Sequence, residues 1–214
     1  MVRHRRSAPR RVYAAAVGRL ARWIGLKLFL IYLRPLGAGR ENPEGLSIEY
    51  VFRELDVRDL ERLADDPQMQ LDPGFLREAA QRGDLCFAIL YRDRLVASRW
   101  YSFRESAPCE DGLHIHFAAP GRIYGYKMFT HPEHRGKRLH LLTMQLSDAA
   151  LMRRGHTQVA GYIETHNFSS LRGYSRMQDA ACVGFAVSIK LFGWRVAVNS
   201  AGARRNGIRI LTRA

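Results

Sequence analysis

Hydrophobic residues recur along the 214-residue chain in two rhythms, and each change of rhythm marks an element. In residues 8–24, APRRVYAAAVGRLARWI, the positions Val12, Ala16, Leu20, Trp23 and Ile24 recur at helical spacing with arginines between them, which predicts a basic amphipathic helix. KLFLIYLRPL then reads as a strand ended by Pro35 and Gly37, and residues 37–46 form a Gly/Pro/Asn linker. SIEYVFREL reads as a strand, and Asp56 caps a short helix over VRDLERLADD. Asp72 followed by Pro73 is a second start signal, a cap with proline at the first helical position, and that helix stops at Gly83. LCFAILYR and RLVASRWYSF flank Asp93 as a hairpin.

GLHIHFA and RIYGYKMFTH are two further strands, the second setting Tyr124, Tyr126 and Met128 against Ile123, Lys127 and Phe129. The longest helix is predicted over 135–154, with Leu139, Leu142, Leu146 and Ala150 as its apolar face and Gly155 as its end. TQVAGYIET is the next strand, SSLRGYSRM a short helix after His166-Asn167, and ACVGFAVSIKLFGWRVAVNS a pair of strands turning near Phe192-Gly193. The order is mixed α/β: a central mixed sheet flanked by helices, preceded by a basic helical arm. The expected organisation is an arm over residues 1–40 and a domain over 41–214.

Charge supports that division. Ten of the 34 Lys and Arg lie in residues 1–40, together with no Asp or Glu, whereas the body of the chain is only mildly basic. A nucleic-acid-binding core is therefore disfavoured, and the arm is the place for an anionic partner. Its apolar run is broken by Lys27 and falls short of the ~20 residues that span a bilayer. No small-residue cleavage site of a secretory signal follows it, although Arg-rich, acid-free segments also resemble organelle transit peptides. Three readings of the arm stand: an anionic membrane surface, nucleic-acid phosphates, or packing on the domain, which best suits the apolar residues 23–36. Cys86, Cys109 and Cys182 form neither a disulfide framework nor a zinc pattern, so free thiols and a cytoplasmic location, peripheral to the inner face of the membrane if the arm binds lipid, are expected.

Candidate chemistry concentrates at two places. In THPEHRGKRLH a strand runs into a helix, and the junction holds Arg135, Gly136, Lys137 and Arg138. Backbone N–H groups of a helix start already attract anions, and cations placed there point to a phosphate-bearing ligand rather than a solvated basic turn. The second place is NFSSLRGYSRM. His114 and His116 share one face of a strand, but no third ligand accompanies them and no metal is expected. There is no Walker-type loop and no dinucleotide fingerprint.

These two motifs, on this order of elements, resemble the GNAT superfamily of acyl-CoA N-acyltransferases over residues 47–200. Family members often read Arg-Gly-x-Gly-x-Gly at the junction; this chain keeps Arg135, Gly136 and Lys137 and has Arg138 and His140 where the later glycines stand. In the second motif Asn167, Ser170, Tyr174 and Arg176 hold the family register, and the final Gly-Phe is replaced by Gln178-Asp179.

The resemblance implies an N-acyltransferase, with acetyl-CoA or another acyl-CoA as co-substrate and a primary amine as acceptor, on a small molecule, an amino sugar or a lipid. Arg135, Gly136, Lys137, Arg138, Leu139 and His140 would hold the cofactor pyrophosphate, and Met128, Phe129 and Thr130 would line the cofactor. Asn167 would bind the pantetheine arm or fix its loop, with Ser170 beside it. Tyr174 matches the family's general acid, against a merely packing role, and a phenol pKa of about 10 suits protonation of a thiolate. For the base, Glu164 ends the neighbouring strand; His116 and a step without a dedicated base are the alternatives. The altered glycines leave two rivals: an acyl carrier protein as donor, and a non-catalytic binding module of the same fold. The edge at SIKLFGWRVAVNS suits a homodimer or a covering by the arm.

Overall fold

The computed structural model describes residues 25–37, 49–63, 67–69, 71–109, 112–175, 177 and 179–212. The predicted helix over 8–24 and the linker after Gly37 lie outside these residues, as do Arg176 and Gln178. Eleven strands and five helices are present among them. They are β1 (Lys27–Pro35), β2 (Tyr50–Leu55), α1 (Val57–Leu63), α2 (Pro73–Arg82), β3 (Leu85–Tyr91), β4 (Arg94–Ser102), β5 (Ser106–Pro108) and β6 (Leu113–His116). Then follow β7 (Arg122–Thr130), α3 (Leu139–Arg153), β8 (Gln158–Glu164), α4 (Phe168–Tyr174), β9 (Ala181–Leu191), β10 (Trp194–Asn199), α5 (Ala201–Arg205) and β11 (Arg209–Thr212). Eight strands form one mixed sheet in the order β10-β9-β1-β8-β7-β4-β3-β2, and β11-β6-β5 form a small second sheet.

Local chemistry explains most of the boundaries. Asp72 caps α2 by accepting the N–H of Phe75, Pro73 occupies the first turn, and Gly83 closes the helix in the left-handed conformation. Both Arg92 and Asp93 take positive φ, as a tight two-residue hairpin between β3 and β4 requires. Phe192 and Gly193 do the same between β9 and β10. β10 is the sheet edge, and Trp194 on it is 80% exposed.

Two expectations need correction. Residues 27–35 do not belong to an arm ending at residue 40: β1 lies inside the sheet, antiparallel to both β8 and β9, with Phe29 and Ile31 fully buried. Its alternating apolar residues are buried only between two strands from the far end of the chain. The long helix starts at Leu139, not at 135, because Gly136 and Arg138 both adopt left-handed φ, which no helix can incorporate. A single 3-10 turn, Pro132–His134, precedes that loop, with the His131 ring accepting the N–H of Glu133. The α5–β11 segment and the three-residue β5 carry patterns too short to read from the sequence.

One side of the sheet packs on α3, through Leu139, Leu142 and Leu146 against Ile89, Val96 and Ala97. Asp148 on α3 accepts both terminal nitrogens of the buried Arg34, one at 2.7 Å, tying β1 to the helix. The other side packs on α1 and α2 through Leu60, Leu76, Ala79 and Trp100, and on the small sheet through Phe117, Ile115 and Ile210.

Candidate functional site

Among the described residues, β7 and β8 are the only parallel neighbours in the main sheet, and they are paired only at Arg122–Gln158, Ile123–Val159 and Tyr124–Ala160. Beyond Tyr124 the two strands run on without a shared ladder. β7 remains bonded to β4 and β8 to β1, so the gap opens between them. A β-bulge helps to turn β7 away. The register with β4 shifts between Ser98 and Trp100, Lys127 and Met128 have no partner in it, and Lys127 takes φ of +42°. The gap is a cavity of about 340 Å³.

Alternation along the strands gives the cavity two dissimilar sides. Tyr124, Tyr126 and Tyr162 form one: Tyr124 stacks on Tyr126 with ring centres 5.3 Å apart, and on Tyr162 at 6.3 Å. The Tyr126 hydroxyl donates to the buried Asp84 carboxylate at 2.6 Å, and Arg82 donates to the same oxygen at 2.8 Å. Burial, and then the Asp84 charge, push the Tyr126 pKa well up, so this phenol stays neutral. Glu164 belongs to this side. It accepts from Lys27 Nζ at 3.1 Å and lies 3.0 Å from His166 Nδ1.

Gly125 and Gly161 define the opposite side. A Cβ on Gly161 would come 3.5 Å from the Tyr174 hydroxyl, and one on Gly125 would meet Arg99 Nη2 at 2.9 Å. The missing side chains let Tyr174 and Arg99 reach the gap. Tyr174 is held by Tyr32, with ring centres 4.9 Å apart. Arg99 is 2% exposed, lies on the Tyr101 ring, and has the Tyr174 phenol as a polar neighbour. Burial opposes its charge, yet the electronegative surroundings of Tyr101, Tyr174 and Asp148 outweigh that and raise its pKa.

The residues singled out in the sequence are distributed unevenly around this cavity. Tyr174, Glu164, Asn167, Ser170 and Met128 line it. Asn167 spends its side-chain oxygen on the start of α4, accepting from the N–H of Ser170 at 3.1 Å and from Ser169 Oγ at 2.9 Å. Phe129 packs instead with Trp100 in the α1–α2 core, and Thr130 pairs with Ala97.

Arg135, Gly136, Lys137, Arg138, Leu139 and His140 do not line the cavity; they form the approach to α3. Arg135 Nε donates to the Thr130 carbonyl at 3.3 Å, and Lys137 Nζ to the Tyr50 hydroxyl at 2.9 Å. Leu139 is a core residue, and His140 is exposed only in part, its ring desolvated enough for the neutral form to be favoured. Among the described residues no hydrogen-bond acceptor takes the N–H groups of Gly136 to His140, so this loop offers a row of free donors. Arg138, although not glycine, holds φ of +58°, the conformation that glycine favours. His116 lies on β6, paired with Ser106 and Arg209 in the small sheet, and no group of metal-ligating side chains occurs among the described residues.

Sequence reasoning missed Arg99, Lys127 and Tyr162 as cavity residues. The one available signal was Arg99 itself, a charge in the middle of an apolar strand segment, VASRWYSF.

No family model matches the chain, and no curated protein matches it. Solved structures do. An acetyltransferase assigned to the GNAT family from Novosphingobium aromaticivorans superposes with a TM-score of 0.53 at 16% identity, over 77% of this chain and 63% of that one. This chain therefore spans less than two thirds of that protein's length. A GCN5-related N-acetyltransferase from Kribbella flavida gives a TM-score of 0.45 at 12% identity over 91% and 67%. An aminoglycoside acetyltransferase from an uncultured soil metagenomic sample, solved with trehalose, gives 0.44 at 12% identity over 61% and 88%. The chain has the GNAT fold. No helix among the described residues is long and apolar enough to cross a membrane.

Proposed function

We propose that the chain is an N-acyltransferase that moves an acyl group from acyl-CoA to a primary amine in the gap between β7 and β8. The observation that carries this reading is the parting of the two parallel strands after Tyr124 and Ala160, with Tyr174 and Glu164 on opposite sides of the opening. Such a gap admits a narrow chain edge-on and leaves a reacting carbonyl open to attack from the tyrosine-lined side.

The residues present fit the co-substrate. The free N–H groups of Gly136 to His140 and the adjoining cations suit its pyrophosphate. Bound there, CoA supplies an acyl thioester. The amine nitrogen forms a bond to the carbonyl carbon, the C–S bond breaks, one proton leaves the amine and one joins the thiolate. In this reading Tyr174 gives the proton to sulfur. Glu164, with both oxygens engaged by Lys27 and His166, takes the amine proton and passes it toward the exposed His166. The left-handed conformation kept at Arg138 favours CoA over a carrier-protein donor, since the backbone path that glycine would allow is retained.

Calorimetric titration with acetyl-CoA tests the donor site: micromolar binding in the wild type and its loss in Arg135→Ala are expected. Tyr174→Phe should then lower turnover about 100-fold or more while the donor Kd stays within about twofold. Full turnover by that variant removes Tyr174 from the acid role.

A further inference from the structure

The proposed acyl transfer leaves one cavity group without a task, and the following step rests on that reading. We propose that the cavity binds a carboxylate carried by one of its two substrates, on the guanidinium of Arg99.

Arg99 is 2% exposed, and its Nε and Nη1 have no hydrogen-bond partner among the described residues. A guanidinium cannot shed its proton, so a buried one without a counter-ion calls for a partner. The other cavity charges are in different situations. Glu164 faces Lys27 and His166. The Lys127 ammonium lies over the Phe75 ring at 4.4 Å; burial lowers its pKa against the opposing charge of Asp72, so it can shed its proton where a guanidinium cannot. Asp148, the acid whose field reaches Arg99, has both oxygens on Arg34. His140 adds no negative charge, and burial followed by Arg99 itself favours its neutral form. Arg99 is thus a buried cavity cation that, among the described residues, has no carboxylate in contact.

The shape of the site points the same way. Gly125 withholds the Cβ that would strike Arg99 Nη2, so the strand opens toward the guanidinium instead of covering it. The Tyr174 phenol is a polar neighbour, and Nε and Nη1, three of the five donors of the fork, have no partner among the described residues. One uncompensated positive charge suits a carboxylate, which carries one negative charge at neutral pH. A phosphomonoester would bring up to two, with the Glu164 carboxylate facing it across the same cavity. The carboxylate has two sources: the far end of a dicarboxylic acyl chain, or an amine acceptor that is itself an acid, such as an amino acid.

The test follows the side-chain Nε–H resonance of Arg99 in 15N-labelled protein, assigned by its absence from the Arg99→Met variant. Succinate and glycine should shift this resonance in a saturable way, and succinamide and glycinamide, which lack the carboxylate, should not. Calorimetry then separates the sources. Wild type preferring succinyl-CoA over butyryl-CoA by about tenfold or more, with the preference lost in Arg99→Met, places the carboxylate on the donor. Equal affinity for those two donors, with glycine preferred over glycinamide by a similar factor, places it on the acceptor. If the carboxylates move the resonance no more than the amides do, the inference is overturned, whatever acetyl-CoA does. Loss of acetyl-CoA binding with the carboxylate response intact overturns the acyltransferase reading alone.

Discussion

Arg34 and Arg99 are both almost completely buried, and both sit in the main sheet on the side that faces α3. Their surroundings are opposite. Arg34 meets Asp148 with two nitrogens and also donates to the Pro35 carbonyl at 3.0 Å. Arg99 meets a phenol, an aromatic ring and a cavity. A buried charge that is fully answered by its own chain is part of the architecture. A buried charge that is left open is held in place by the fold for something else.

The largest effect should come from breaking the first of the pair. Asp148→Ala leaves Arg34 buried without its carboxylate, and a loss of about 3–5 kcal/mol of stability is expected, measured by urea unfolding. Activity per folded molecule should change little. The matching change on the other side should do the reverse. Arg99→Met removes a charge that the apo protein does not satisfy, so the thermal midpoint should hold or rise by a few degrees. A collapse of the fold in that variant would make Arg99 architectural after all.

A smaller effect concerns the approach to α3. Arg138 pays for its left-handed backbone with about 1–2 kcal/mol, partly offset because glycine is freer in the unfolded chain. Arg138→Gly should therefore be stabilising by no more than about 1 kcal/mol, read from the same unfolding curves.

The smallest effect is a pH dependence that Arg99 shares. Burial lowers the pKa of His134, His140 and His156, assisted by Lys137 and His131, by Arg99, and by Arg154 respectively. Each favours the neutral ring in the folded state. As pH falls below about 6.5 the unfolded chain takes up protons first, so stability is complete above that value and declines below it. Thermal midpoints from pH 8 to pH 5.5 should fall gently, and His156→Gln should flatten the curve.

What the sequence disclosed was local. Asp72-Pro73 and Gly83 bracket α2 because caps act within one turn. Asn167, Ser170 and Tyr174 could be placed together because a short helix fixes their spacing. The seat of β1 between β8 and β9 was not legible, since an alternating strand does not name its neighbours. Arg99 was visible as a charge in an apolar strand, but its destination depends on the bulge at Lys127–Met128 and on Gly125 across the ladder. The start of α3 was misplaced because a propensity for left-handed backbone is not written into an arginine.

The seat of β1 also bears on how the chain is made. Lys27 and its partner Glu164 are separated by 137 positions. A ribosome covers that distance in on the order of ten seconds. For much of that time Phe29 and Ile31 await both flanking strands, which are not yet synthesised. An interior strand of the sheet is thus an early-born, late-assembled element, and a holding chaperone suits that interval.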